Sequence, residues 1–194
     1  MTDAETLAQL KREPGRYDSH LPVLWAIGET MPIRTICEYG VGLGSTPVWL
    51  DRKRFPSMEH LLSYEEQESW FHKIKEELPP EMSADPRWDL KRIESGNLFF
   101  SAEYLAGTDL AFVDGFTWDG RIALLIALRG RVPLVVLHDG HGPDAFRAAQ
   151  TVWPHVLVYR ATDPGTSILS EAPLPAPLVA ALRAQGYVNH PGDK

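Results

Sequence analysis

The chain reads as an α/β domain doubly wound around a mostly parallel sheet, on three observations. The first is the stretch Thr35-Ile36-Cys37-Glu38-Tyr39-Gly40-Val41-Gly42-Leu43-Gly44-Ser45-Thr46-Pro47. A short apolar run there ends in an acid, and three alternate glycines, two hydroxyls and a proline follow. Strand, tight glycine turn and helix N-terminus in that order bring a backbone close to a nucleotide-like ligand. The second is a pair of continuous apolar runs, residues 109–115 and 133–137, of the kind buried on both faces of a parallel sheet. The third is that four strands end in polar residues on one side of the expected sheet, where open α/β sheets place ligands.

Taken in order, residues 3–11 form a short helix, broken by Pro14-Gly15. A second helix covers 21–29, opened by Ser19 as N-cap and stopped before Pro32, with Leu21, Leu24, Trp25 and Ile27 on a buried side. The first strand runs over 33–38. Thr46 caps the helix 47–54, whose first position is Pro47, with φ preset and no N–H to leave unbonded. The second strand, 60–65, ends on Glu65-Glu66, and a helix over 70–78 follows. Residues 88–94 alternate as a third strand before Ser95-Gly96-Asn97, and 99–105 form a short helix. The fourth strand, 109–115, carries Asp114-Gly115 at its end and leads to a helix over 121–129. The fifth, 133–137, runs into His138-Asp139-Gly140-His141-Gly142. A helix over 144–152 turns Phe146 and Ala149 inward. Strands 156–159 and 166–169, joined by the loop 161–165, precede an amphipathic helix over 178–185. The sum is a seven-stranded sheet with helices on both faces, in one domain spanning 1–194.

Composition narrows the function. A lone cysteine, Cys37, excludes an internal disulfide framework and a four-cysteine zinc site. Its apolar neighbours make it a small core residue. No basic and apolar leader opens the chain, and no apolar run approaches the roughly 20 residues of a membrane span. The expected setting is therefore the cytoplasm, away from membranes. A formal charge of −7 argues against a large nucleic-acid footprint. The one basic cluster, Arg52-Lys53-Arg54, is placed at the end of the first post-turn helix, where cations suit the helix dipole.

The spacing of the glycine turn discriminates between ligands. A dinucleotide fingerprint needs G-x-G-x-x-G; counted from Gly40 its third glycine slot holds Ser45, and the third glycine comes one residue early at Gly44. The pattern E-x-G-x-G-x-G-S-T resembles the first motif of class I S-adenosylmethionine-dependent methyltransferases, and Glu65, Asp114-Gly115 and His138-Asp139 follow at the ends of strands two, four and five. The resemblance spans residues 20 to 170, and it implies a Rossmann-like methyltransferase fold with S-adenosyl-L-methionine as cofactor. It implies cofactor contacts from Glu38, Tyr39, Gly40, Gly42, Gly44, Ser45 and Thr46. Glu65, with Glu66 as its alternate, is then the acid that bonds ribose hydroxyls, Asn97 reads the adenine amine, and Asp114 lies near the transferred methyl. Residues 1–32 correspond to an N-terminal helical lid, where His20 either lines the site or, as is commoner beside an N-cap, lies exposed.

The acceptor follows by elimination and resemblance. Amino-methylating enzymes acting on bases carry a D-P-P-Y-like motif after strand four, where this chain has Asp114-Gly115-Phe116-Thr117. Carbon-5 cytosine methylation needs a Pro-Cys nucleophile, and Cys37 lies in the first strand. The D-G and H-D strand ends resemble small-molecule O-methyltransferases, which implies a hydroxyl acceptor on a small molecule or sugar. Asp114, His138 and Asp139 are the expected catalytic residues, a histidine acting as base with Asp139 orienting it. His141, Trp118 and Arg147, with Arg121, are expected around the acceptor. Some O-methyltransferases hold a divalent cation with acids at these strand ends, here Asp114 and Asp139. The usual Asp-Asn pair is missing because Gly140 follows Asp139, so no metal is expected. Two further readings stand beside methyl transfer: a protein that binds the cofactor without using it, and an NAD-dependent oxidoreductase, against which Ser45 weighs.

Overall fold

The computed structural model describes residues 2–13, 16–94, 105, 107–139, 148, 151–186 and 188–189. The expected helices over 99–105 and 144–152 fall largely or wholly outside these residues. Strands β1 (Thr35–Tyr39), β2 (His60–Glu65), β3 (Trp88–Arg92), β4 (Leu110–Val113), β5 (Leu134–His138), β6 (His155–Tyr159), β7 (Thr166–Ser170) and the two-residue β8 (Val188–Asn189) form one sheet in the order β3-β2-β1-β4-β5-β7-β6-β8. The seven expected strands are present, and β8 adds a short edge. Pairings among β1 to β5 are parallel, whereas β7 runs antiparallel to both β5 and β6. Chain order reverses between β1 and β4, which makes the cleft above their C-terminal ends the topological switch point.

Alternation along β1 explains the two-sided core. Ile36 and Glu38 face one layer while Cys37 and Tyr39 face the other. On the first face Ile36, Phe112, Val136, Leu157 and Ile168 pack under α2 (Leu21–Thr30), α3 (Ser45–Leu50) and α7 (Ala176–Gln185). On the second, Cys37, Ala111, Val113, Val135 and Leu137 meet Leu124, Leu125 and Leu128 of α6 (Trp118–Leu128). Helix α2 buries Leu21 through Ile27 on every side, as expected of a helix clamped between sheet and α7. Helix α1 (Asp3–Arg12) carries a capping box between Thr2 and Glu5 and docks through Leu10 onto Leu21 and Trp25. On the outer side of β2, α4 (Glu68–Glu77) buries Ile74 beneath Val41, and the one-turn α5 (Pro80–Ser83) leads into β3. The edge strand β3 pairs only with β2 and sets Lys91 against Asp89 at 3.0 Å and Arg92 against Glu68 at 3.2 Å.

Three local expectations are corrected. Ser19 does not cap α2; His20 holds the N-cap position without a side-chain bond, and Ser19 turns inward instead. Helix α3 starts at Ser45 with Gly44 as N-cap, so Thr46 lies inside the first turn and Pro47 is its third residue. It also ends at Leu50, so Arg52, Lys53 and Arg54 lie past it rather than in its last turn. Arg54 instead pairs with Asp3 at 2.7 Å and covers the Trp25 ring at 5.2 Å, tying α1 to α2.

Trp49 is the largest of the fully buried side chains and meets Phe55 and Phe112 edge-on at 5.1 and 5.8 Å. Trp49→Ala is expected to lower the free energy of unfolding by about 3–5 kcal/mol. The measurement is a urea transition whose midpoint falls while its slope is unchanged.

Candidate active site

The turn after β1 is fixed from three sides. Gly40 N donates to Tyr64 O at 2.8 Å, and Asp114 N and Gly115 N both donate to Tyr39 O at 2.8 Å. The ends of β2, β1 and β4 are thereby drawn together. Gly40 has φ +90, and a Cβ there would lie 2.2 Å from Gly115 N, so only glycine lets β1 and β4 cross this closely.

Beneath the turn lies Glu38, wholly buried. Its Oε1 accepts from Ser45 Oγ at 2.6 Å and Trp49 Nε1 at 3.2 Å; its Oε2 accepts from Thr46 Oγ1 at 2.9 Å and Ser63 Oγ at 2.7 Å. Ser45 and Thr46 are therefore both tied to Glu38 below the turn. Thr46 Oγ1 also accepts from Gly42 N at 3.3 Å. Burial pushes the Glu38 carboxyl up to about 7, and the four donors offset only part of that.

Glu65 closes one flank. Its Oε2 accepts from Val41 N at 3.3 Å and its Oε1 from Gln67 N at 2.8 Å, while burial raises its carboxyl above the usual range. Glu66, next to it, is half-buried. Trp70 of α4 donates Nε1 to Val41 O at 2.6 Å and so walls the turn, a role the sequence motif containing it did not reveal. Tyr39 stacks on Tyr64 at 5.5 Å on the opposite face of the sheet.

Asp114, His138 and Asp139 form the other flank. Asp114 Oδ1 lies 2.7 Å from His138 Nδ1, and His138 Nε2 lies 2.8 Å from Ser19 Oγ, which donates to Pro164 O at 2.8 Å. Asp139 Oδ1 stands 3.7 Å from His138 Nε2. Arg121 braces both strand ends, donating to the carbonyls of Asp114, Gly115, Phe116 and His138. Its charge lies 3.8 Å from Asp114 Oδ1 and 3.5 Å from Asp139 Oδ2. Burial would raise the Asp114 carboxyl, but the His138 bond and the charges of His138 and Arg121 hold it below the usual range. Phe116 at φ 75 and Asp139 at φ 57 take left-handed backbone just past β4 and β5. Such strain in side-chain-bearing residues collects at functional sites.

Of the two readings of His20, exposed beside an N-cap or lining the site, the structure shows it buried, at 2 % exposed. Its ring meets His138 edge-on at 4.6 Å and Phe112 at 5.1 Å, and a Cβ on Gly44 would lie 3.5 Å from its Nε2. Neither of its nitrogens has a hydrogen-bond partner among the described residues. Burial, aided by His138, pushes the imidazole down to about 3. Nothing in the local sequence marks this position; it follows from how α2 docks over the ends of β4 and β5.

The expected residues thus converge except for those outside the description. Asn97, His141 and Arg147 lie outside the described residues. Trp118 opens α6 about half exposed, under the Arg121 guanidinium at 4.9 Å. Arg121 itself is buried and bonded to backbone, a bracing position rather than a wall of an open pocket. Among the described residues no helix is long and apolar enough to cross a membrane.

No family model and no curated protein matches the sequence. Solved structures do match the fold. Spermidine synthase in complex with the transition-state analogue AdoDATO aligns with a TM-score of 0.59 at 16% identity, over 84% of this chain and 61% of that one. A protein described as a caffeoyl-CoA O-methyltransferase from Staphylococcus aureus aligns at 0.60 and 14% identity, over 89% and 93%. The methyltransferase domain of bacterial CtHen1-CN aligns at 0.55 and 14% identity, over 79% and 98%. The chain spans about three fifths of the spermidine synthases it matches. At these identities the likeness is one of fold, and that fold is the Rossmann-like one of class I S-adenosylmethionine-dependent methyltransferases.

Glu38 yields a pH prediction. A carboxyl that keeps its proton to about pH 7 when folded, against 4.5 in the unfolded chain, stabilises the fold fully below pH 4.5. That contribution is lost as pH rises through 7. It amounts to about 3 kcal/mol at most. Urea midpoints of wild type and Glu38→Gln compared from pH 5 to 8 are expected to show wild type losing stability relative to the variant as pH rises. Parallel curves would mean that Glu38 stays ionised throughout.

Proposed function

We propose that the protein is an S-adenosyl-L-methionine-dependent methyltransferase that methylates an oxygen of a small molecule or sugar. The observation that carries the reading is the glycine turn of residues 40–46 fixed at the switch point, with Glu65 on one flank and Asp114 on the other. In this reading the backbone of Gly40, Gly42 and Gly44 cradles the methionine part of the cofactor, and Tyr39 supports the strand end below it. Glu38, Ser45 and Thr46 set the shape of the turn from beneath. Glu65, and Glu66 beside it, bond the ribose hydroxyls, and Asn97 reads the adenine. Residues 1–32 act as a lid through Ser19 and His20, whose backbone and side chains already meet the C-terminal half of the sheet.

Transfer is an in-line displacement: the acceptor oxygen forms a bond to the methyl carbon while the carbon–sulfur bond breaks and the sulfonium charge is neutralised. Alignment supplies most of the acceleration. The acceptor proton leaves to His138 or Asp139, the two groups beside Asp114 able to take it. Trp118, His141 and Arg147 shape the acceptor side. The named activities of spermidine synthase and the caffeoyl-CoA enzyme favour a small-molecule acceptor.

One observation favours a second reading, a protein that holds the cofactor without turnover. His138 is buried, with both nitrogens engaged by Asp114 and Ser19. The oxidoreductase reading is weaker, because Ser45 occupies the third glycine slot and its hydroxyl is bound to Glu38.

Calorimetric titration is expected to give micromolar binding of S-adenosylmethionine and S-adenosylhomocysteine and none of NAD. Glu65→Ala is expected to weaken the first two by roughly tenfold or more, about 1.4 kcal/mol per decade. Asp114→Asn should keep binding and lose turnover across a panel of hydroxyl acceptors. Cofactor binding without turnover on any acceptor supports the second reading, and tighter NAD binding would sink methyl transfer.

A further inference from the structure

We propose that His20, Asp114 and His138 hold a divalent transition-metal ion. One ligand atom from each lies within 4.8 Å of the others. The set comes from three elements, the start of α2 and the ends of β4 and β5, brought together only by the fold. Asp139 is not among them, so this is not the pair of strand-end acids.

His20 is the observation that points to a ligand. An imidazole buried to this extent, with both nitrogens unpartnered among the described residues, bears the desolvation cost of each polar atom with no bond to offset it. Buried polar atoms in native proteins are bonded with few exceptions, and a bound ion is one standard partner for such an atom. Its desolvated ring is neutral across the working pH range, which is the form that coordinates.

The donor chemistry selects the ion. Two imidazoles and one carboxylate suit zinc, iron, cobalt or manganese, whereas magnesium and calcium favour all-oxygen shells. Three protein ligands leave open positions for water or an acceptor oxygen. The surroundings are arranged as outer-sphere support. Ser19 orients the His138 ring, and Arg121 fixes the carbonyls of both strand-end ligands. Asp114 and Asp139 face one guanidinium, Arg121, leaving an excess of negative charge at the site. On loading, the 2.7 Å bond between Asp114 and His138 is exchanged for two metal bonds, and the bridging proton is released to solvent.

The site stands on its own residues; its use in activating an acceptor hydroxyl rests on the methyl-transfer reading. In that use the metal lowers the pKa of the bound hydroxyl, and Asp139, at the rim, takes the proton.

The test is titration of chelator-stripped full chain with Co²⁺ and with Zn²⁺, read by calorimetry and by cobalt d–d absorption. One equivalent is expected to bind, with visible absorption and release of protons to the buffer. His20→Ala and His138→Ala should each weaken binding on the order of a hundredfold, while His72→Ala, a change on exposed α4, should leave it unchanged. Circular dichroism and S-adenosylmethionine affinity check that His20→Ala is folded. Absence of cobalt absorption in wild type, or equal metal affinity in folded His20→Ala, overturns the proposal. So does a His20→Ala variant that loses cofactor affinity while wild type takes up no metal, which would make His20 a cofactor contact. Metal uptake without cofactor binding would sink the methyl-transfer reading and leave the metal site standing.

Discussion

The whole arrangement depends on one buried carboxylate. Glu38 lies at the end of the central strand with no access to water, where an unpaired charge would be prohibitive. Its four donors come from both sides of the turn: Ser45, Thr46 and Trp49 from α3 and Ser63 from β2. Satisfying one acid therefore fixes the angle at which α3 leaves the sheet and seats β2 beside β1. Ser63 in turn accepts from Trp88 Nε1 at 3.0 Å, which carries the network to the edge strand β3. The turn between them is held in shape from beneath and from its flanks, with the amides of Gly40, Val41, Gly42 and Thr46 each bonded within the fold.

The opposite half of the cleft is organised by a cation rather than an anion. Arg121 gathers four backbone carbonyls at the ends of β4 and β5. Those carbonyls are available because Phe116 and Asp139 take left-handed backbone, at φ 75 and 57. The conformations cost on the order of 1–3 kcal/mol each, and guanidinium bonds of this kind are worth roughly that much. Helix α6 delivers the arginine from its first turn, so the strained loop and the helix that stabilises it are consecutive in sequence.

Much of this was legible in the chain. Strand β2 was placed at its observed bounds, and the turn was identified because glycine at φ +90 and an acid before it are local necessities. Buried strands such as β4 and β5 announce themselves by continuous apolar runs. What could not be read was anything decided by docking. Ser19 has the composition of an N-cap, yet its hydroxyl is taken by His138 and Pro164, more than a hundred residues away. His20 looked like a surface residue for the same reason. Arg54 suited a helix C-terminus, but Asp3 and the Trp25 ring offered it a better-defined seat beyond it. Thr46 has the chemistry of a cap and uses it on Glu38, because a buried acid outbids an exposed amide.

The edge of the sheet has its own consequence. Among the described residues strand β3 pairs with β2 alone, and an edge of this kind in a flat apolar strand would recruit another chain. Here it is five residues long, alternating Trp88 and Leu90 with Asp89 and Lys91 before it ends on Arg92, its charges held by Glu68 and by one another. At the far side of the described sheet Val188–Asn189 pair antiparallel with β6. Electrostatics therefore oppose growth of the sheet past β3 into another copy.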